Sequence, residues 1–337
     1  MQTAPMRKTY VFLLKSGLDK FSFRLCSLVR SLKLKFLVSF IIIFFSISAN
    51  AVSEYELLWG QDDRREVYQG DNSIKTAALS VVALVPWTSL QAKDNGYQLS
   101  NASTLREDNW CESEPFSQQT SAAICTGFYI GGNRVITAAH CVNNRRDSAK
   151  LADFAVVFSF ARSGLNRSSE KEWFFPEDKV YPIQKISAFE QISAINIDWA
   201  VLQLGANKNK DFPSVPPITL SYSQPNPDDE IVLIGHPLGL PKKFSVGKRL
   251  RQNTQNSEVF RVAIDAYQGD SGAPIFVRRE NKLQLVGLMA AGGADRKIVN
   301  NCRISATCSS ENADSQRCAG EIVVPVTRFQ QNMFAAQ

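Results

Sequence analysis

Histidine is almost missing from this chain: His140 and His236 are the only two among 337 residues. Cysteines number seven, and none forms the closely spaced pairs of a zinc site. That poverty of imidazole and thiolate argues against metal-centred chemistry, and no metal or cofactor is expected. The longest apolar stretch, Phe36 to Ala49, is shorter than the roughly 20 residues needed to span a bilayer. Nor does the body carry an excess of one charge. The formal charge is +6, but residues 1–51 hold eight Lys and Arg against Asp19 alone, which leaves −1 for the rest. Net charge therefore gives no argument for nucleic acid or an anionic membrane surface as a partner. Internal repeats are absent as well.

The first 51 residues read as an export signal. The run Phe36 to Ala49 follows Lys33 and Lys35 and ends at Ala49-Asn50-Ala51, the small-residue pattern of a signal peptidase cut after Ala51. An uncleaved anchor is the competing reading, and Met6 is an alternative start for a long n-region. Removal of the signal would leave a secreted or periplasmic protein with no stable membrane association. Cys26 departs with the leader, and six cysteines remain. An even number in an exported chain points to disulfides.

Beyond the leader, short runs rich in Val, Ile and Phe alternate with Gly, Pro, Asn and Asp. They include Leu79–Val85, Arg134–Thr137, Trp199–Leu204, Ile231–Ile234 and Leu283–Met289. Such spacing predicts an all-β sandwich or barrel. The proline-rich stretch 207–217 predicts a linker, and Thr327 to Phe334 a short terminal helix. Two polar insertions stand out, Lys93–Pro115 and Ala294–Ala319, and both carry cysteines.

One constellation suggests chemistry. A serine hydroxyl is a weak nucleophile unless a base takes its proton, a third group orients that base, and backbone donors receive the oxyanion. His140 lies in Thr137-Ala138-Ala139-His140-Cys141. Cys125 and Cys141 flank a hairpin turning at Gly131-Gly132-Asn133, and a bond between them would staple the loop of the base to its own strand. Ser271 lies in Gly269-Asp270-Ser271-Gly272, where the glycines permit a turn that other residues resist. The N–H groups of Gly269 and Ser271 would then converge on one oxygen. Asp198 opens an apolar strand, a costly place for a charge unless it accepts a hydrogen bond. Alone, each residue has a bland reading: a solvated histidine, a strand-capping aspartate, an ordinary turn.

Taken together, the strings CTGFYIGGNRVITAAHC, DWAVLQL and GDSGAP resemble the trypsin/chymotrypsin-like serine proteases, over roughly Leu79 to Val326. The resemblance implies two six-stranded antiparallel β-barrels with the active site in the cleft between them. It implies a His140-Asp198-Ser271 triad and an oxyanion hole from the Gly269 and Ser271 N–H groups. It implies polypeptide substrates. On this reading 76–206 is the first barrel with His140 and Asp198, and 218–337 is the second with Ser271. Residues 52–75 would be a propeptide and mature N-terminal segment. A narrower likeness, in Gly60–Arg64 and Ile234–Pro241, is to the bacterial glutamyl-endopeptidase-like branch. It suggests processing near Leu58 or Trp59, with Arg64-Arg65 as a second candidate cut. No Ile-Val-Gly-Gly start is present to support the trypsin type of activation.

The resemblance also frames specificity. Asp265, six residues before Ser271, stands where trypsin-like members hold an acidic pocket floor, although acid-specific relatives carry Asp there too. Met289 stands where glutamyl endopeptidases place a histidine, which argues against glutamate specificity; it also reads as core. Gly292 and Gly293 would let a substrate backbone pair along a strand edge. His236, in a Gly-His-Pro string, reads as a structural turn. With Cys125–Cys141 bonded, the other four cysteines allow three connectivities, among them Cys302–Cys318 with Cys111–Cys308. Two rivals remain, a catalytically silent homologue acting as a binding module and an esterase. The second lacks the Gly-x-Ser-x-Gly elbow.

Overall fold

The computed structural model describes residues 62–334, apart from 144–150, 165–172, 208–211, 217, 228, 251–257, 293–295 and 309–319. The expected leader, Gly60, residues 208–211 and 217 of the linker, and Cys318 lie outside the described residues. The chain enters with a two-residue strand β1 (Arg65–Glu66) and a short helix α1 (Asn72–Ala78). Asp71 caps that helix by accepting the Ser73 and Ile74 N–H groups, while Ile74 and Ala78 are buried.

Six strands follow: β2 (Val81–Pro86), β3 (Cys125–Gly131), β4 (Arg134–Thr137), β5 (Phe154–Val157), β6 (Val180–Ile192) and β7 (Ile197–Leu204). They close into an antiparallel barrel in the order β6-β7-β4-β3-β2-β5, with β5 returning to β6. A second set is β8 (Glu230–Gly235), β9 (Lys243–Arg249), β10 (Phe260–Ala263), β11 (Pro274–Arg279), β12 (Lys282–Ala291) and β15 (Glu321–Pro325). Its order is β9-β8-β11-β12-β15-β10, and the pairing of β9 with β10 closes it, with β1 added outside β9. Between β12 and β15 a separate hairpin forms, β13 (Arg296–Val299) and β14 (Cys302–Ser305). This is the expected pair of six-stranded barrels. Closure leaves no sheet edge unpaired around either ring.

Alternation assigns the side chains. Val82 and Leu84 of β2 join Tyr129, Val135, Val156, Tyr181 and Leu202 in a cluster drawn from all six strands, the interior of the first barrel. Ile231, Val262, Ile275, Val286 and Val323 make the interior of the second. A third cluster takes the outward residues of both: Val81, Phe128, Ile136 and Trp199 from the first, Val232, Phe276 and Leu288 from the second. The barrels therefore share a core, and both lie in one compact unit, Leu57–Gln337. The terminal helix is α3 (Gln330–Phe334). Its Met333 and the preceding Phe329 pack into that shared core.

Candidate active site

His140 starts a single helical turn, α2 (His140–Asn143), directly after β4. The Cys125–Cys141 disulfide closes the loop of 16 residues that contains the hairpin, as the sequence suggested. Asp198 is the second residue of β7, with its carboxylate 15% exposed. Its Oδ1 accepts the backbone N–H of His140 at 2.9 Å, and its Oδ2 lies 2.5 Å from His140 Nδ1. A carboxylate can only accept, so Nδ1 carries the proton and Nε2 is left as the acceptor. One side chain thus fixes both the backbone and the ring of the histidine. Loss of the disulfide through Cys125→Ala and Cys141→Ala should lower stability by ~3 kcal/mol for a loop of this length. Denaturant melts would check this, and an unchanged midpoint would contradict it.

Ser271 lies in the turn between β10 and β11. Gly269 and Gly272 have φ of +104° and +85°. A Cβ on Gly269 would sit 2.4 Å from the His236 carbonyl oxygen, and one on Gly272 would sit 2.3 Å from that of Thr126. Conformation and space both demand glycine there. The Gly272 N–H donates to the Met289 carbonyl at 2.7 Å and Met289 N–H to that of Ala273 at 2.9 Å, which anchors the turn to β12. Asp270 is fully buried and accepts the Tyr267 N–H at 3.0 Å.

Thr126, on β3 of the other barrel, holds this turn from the opposite side. Its N–H donates to the Ser271 carbonyl at 2.9 Å, and its hydroxyl donates to that of Gly269 at 2.8 Å. The same hydroxyl accepts the His236 N–H at 3.0 Å. Cys141 Sγ lies 3.8 Å from the Ser271 carbonyl oxygen; bonded to Cys125, it has no proton to give. Histidine and serine loops are thereby brought together. Among the described residues no hydrogen bond joins the Ser271 hydroxyl to the His140 ring. Such bonds are often long until substrate tightens them. The sequence reading missed Thr126, whose only signal is a hydroxyl next to a staple cysteine.

His236 is fully buried, and its Nδ1 lies 2.9 Å from the Leu240 carbonyl oxygen. Its ring stacks on Phe160 at 5.6 Å. Burial, with Lys242 adding, pulls its pKa down to about 3, so the ring is neutral. Cys125, His140 and Cys141 form the one group of metal-ligating types among the described residues. Both sulfurs are used in the disulfide, so neither has a thiolate to offer.

The expected pocket residues differ in their surroundings. Met289 is 3% exposed and belongs to the interior of the second barrel. Gly292 is exposed at the end of β12, where an added Cβ would fall 1.6 Å from a Glu321 carboxylate oxygen. Asp265 accepts the backbone N–H of Asp63 at 2.8 Å, so the entering segment lies against it. Next to Asp63, the Arg64 side chain is 1% exposed. Its guanidinium pairs with Asp62 at 2.5 Å and sits 3.9 Å from the Tyr267 ring centroid. Glu66 is buried too. A cut at Arg64-Arg65 would break the chain within this buried lining. Of the three connectivities left open by the sequence, the structure takes one with Cys111 bonded to Cys302. Cys308 is also disulfide-bonded.

Burial and the neighbouring Asp63 carboxyl push Asp265 up to about 7, and burial raises Asp63. An acid raised from 3.8 to about 7 holds a proton in the folded state that the unfolded chain has released. Its contribution to stability is present below 3.8 and is lost as pH rises toward 7. His236, depressed from 6.5 to about 3, acts with the opposite slope. Asp63→Asn removes the second carboxyl and should flatten the loss at rising pH. Thermal melts of both proteins from about pH 4 to pH 8 isolate this; parallel curves would refute it.

Residues 125–288 match the family model of the trypsin-like peptidase domain. Of solved structures, the VesB protease of Vibrio cholerae is similar at 20% identity and a TM-score of 0.46, covering 80% of this chain and 66% of that one. This chain thus spans just under two thirds of that protein's length. Rv3671c from M. tuberculosis H37Rv, in the inactive form of a serine-to-alanine mutant, is similar at 15% identity and a TM-score of 0.41, covering 80% and 93%. No curated protein matches the chain. The matched segment and the two closed barrels together describe a chymotrypsin-like fold.

Proposed function

We propose that the chain is an exported serine endopeptidase that hydrolyses peptide bonds through an acyl-enzyme, with His140, Asp198 and Ser271 as its triad. The observation that carries this is the double hold of Asp198 on His140, through backbone N–H and ring Nδ1, beside the glycine-framed Ser271 turn. His140 Nε2 takes the Ser271 proton as Oγ attacks the scissile carbonyl. Asp198 stabilises the imidazolium and holds its orientation. The N–H groups of Gly269 and Ser271 receive the oxyanion, in a turn whose positive φ at Gly269 favours glycine. His140 then passes the proton to the leaving amine, and water repeats the sequence to release the acid.

Export rests on the leader sequence and on disulfides, which persist in oxidising compartments. The narrower branch rests on the Gly60–Arg64 and Ile234–Pro241 strings. A core position for Met289 offers no imidazole to a glutamate side chain. The residue before the cut meets the end of β12, along whose edge an extended backbone would pair.

The test pairs a mixed peptide library with a serine-reactive phosphonate. Wild type should cut peptides and take the label on Ser271, whereas Ser271→Ala should do neither. Equal cutting by both proteins would remove Ser271 from the mechanism.

A further inference from the structure

The two polar insertions meet beside the Ser271 turn. Cys302 on β14 is bonded to Cys111 across 191 residues of sequence. The Cys111 N–H donates to the Arg303 carbonyl at 2.9 Å, and Arg303 N–H donates to that of Asn109 at 2.8 Å. Ser305 N–H donates to Glu114 at 3.0 Å, and the Ser305 hydroxyl donates to the same carboxylate. Trp110 and Leu105, 5% and 1% exposed, pack on Leu238 and Leu240. The hairpin β13–β14 is therefore held rigidly against the first insertion.

Between the insertions and the Ser271 turn lies a cavity of about 410 Å³. Gln268 and Gly269 form its side nearest the serine, and Leu105, Trp110 and Leu238 give it an apolar wall. Arg296 and Arg303 line it from the hairpin, and Asp108 from the other insertion. Arg303 donates to the Asp108 backbone carbonyl at 3.2 Å, and Arg296 to the Gln268 side-chain oxygen at 3.2 Å. Both acceptors are neutral, and among the described residues neither arginine forms an ion pair. The Asp108 carboxylate instead accepts the Ser103 hydroxyl at 2.6 Å. A guanidinium has five N–H donors in a fork that matches a carboxylate.

The cavity's place follows from the proton path. His140 must hand its proton to the leaving amine, so the leaving side of the substrate lies toward the Cys125–Cys141 disulfide. Ala123 and Ile124, just before Cys125, line this same cavity. The acyl side runs the other way, along the end of β12.

We propose that this cavity binds an acidic side chain of a polypeptide substrate, within the three residues that follow the cut bond, through Arg296 and Arg303. The proposal rests on the reading of Ser271 as nucleophile. An acidic side chain, not a chain-terminal carboxylate, is the ligand, because an endopeptidase substrate continues beyond the cut.

Two measurements on the full chain test it. The first is binding of amide-capped peptides to the Ser271→Ala protein, with Glu, Gln or Lys scanned through those three positions. The Glu peptide should bind at least about fivefold more tightly than Gln at one position, with Lys weakest, and the contrast should shrink in 0.5 M salt. Arg303→Glu and Arg296→Glu together should invert the order toward Lys, a gain that misfolding cannot produce. The second is kcat/KM of wild type on the same peptides, which should follow the same order. Cutting without any contrast among Glu, Gln and Lys overturns the proposal and spares the protease reading. Binding contrast without cutting sinks the protease reading and keeps the cavity. A contrast seen only with uncapped peptides assigns the arginines to a terminal carboxylate and overturns the side-chain assignment. Absence of both contrast and cutting removes the two together.

Discussion

Ser271→Ala should lower kcat on a good peptide by ~10⁶-fold while leaving the fold intact, because nucleophile and base act as a unit. Asp198→Asn should cost ~10⁴-fold, since an amide donates where the carboxylate accepts and favours the wrong tautomer. The double bond from Asp198 adds a structural consequence specific to this geometry. Oδ1 holds the His140 backbone N–H at 2.9 Å, so Asp198→Ala also frees the start of the helical turn. Asp198→Ala should therefore lose activity and some stability, whereas His140→Ala should lose activity alone. Single-turnover kinetics and melting curves on all four proteins separate these effects. Residual cutting by Ser271→Ala above ~10⁻³ of wild type would contradict the covalent route.

The second large effect lies under β1. Lys243 is 1% exposed, and its ammonium donates to Glu66 at 3.2 Å, to the Gln119 side-chain oxygen at 2.8 Å and to the Pro241 carbonyl at 2.7 Å. These three acceptors match its three N–H groups. Burial lowers its pKa to about 8, against the pull of Glu66, so it is charged at neutral pH. Lys243→Met deletes the cation and leaves the Glu66 carboxylate, 6% exposed in its side chain, with neutral donors alone: the Gln119 amide at 2.8 Å and the Gln69 backbone N–H. A buried charge deprived of its partner costs about 3–5 kcal/mol. Lys243→Met combined with Glu66→Met should recover most of the loss, since burying neither charge avoids both desolvation terms. Chemical denaturation of the two variants tests this. A double variant as unstable as the single one would show that the pair contributes more than its desolvation removes.

How much of this was legible in the sequence depended on whether burial and polarity agreed. Arg134–Thr137 was read with its observed bounds, and the other apolar runs were placed to within one or two residues, because their side chains are Val, Ile and Phe on both covered faces. Two barrel strands escaped. β9, Lys243–Arg249, begins with a lysine that only a distant glutamate makes tolerable inside. β6, Val180–Ile192, is exposed along its second half, carries Pro182 and bulges twice, so its thirteen residues show no steady alternation. Helix α1 is seven residues long and polar outside, too short to print a period. The histidine and the aspartate met as their motifs implied. What the sequence did not announce is the segment around Asp63, 202 residues away, that lies beside Asp265. Nothing local in either stretch announces the other. The union of the two insertions escaped for the same reason.

Thr126 links the barrels through bonds to residues 110 or more positions downstream. Contacts so remote in sequence form late, because loop closure must precede them. The turn bearing Ser271 takes its final shape only when both rings have closed and docked. During refolding, recovery of peptide cleavage should therefore lag behind recovery of β-structure, and the nascent chain stays inert while it is being made. On the function proposed above, a protease that ripens last, and only as a whole, would spare the cell that makes it.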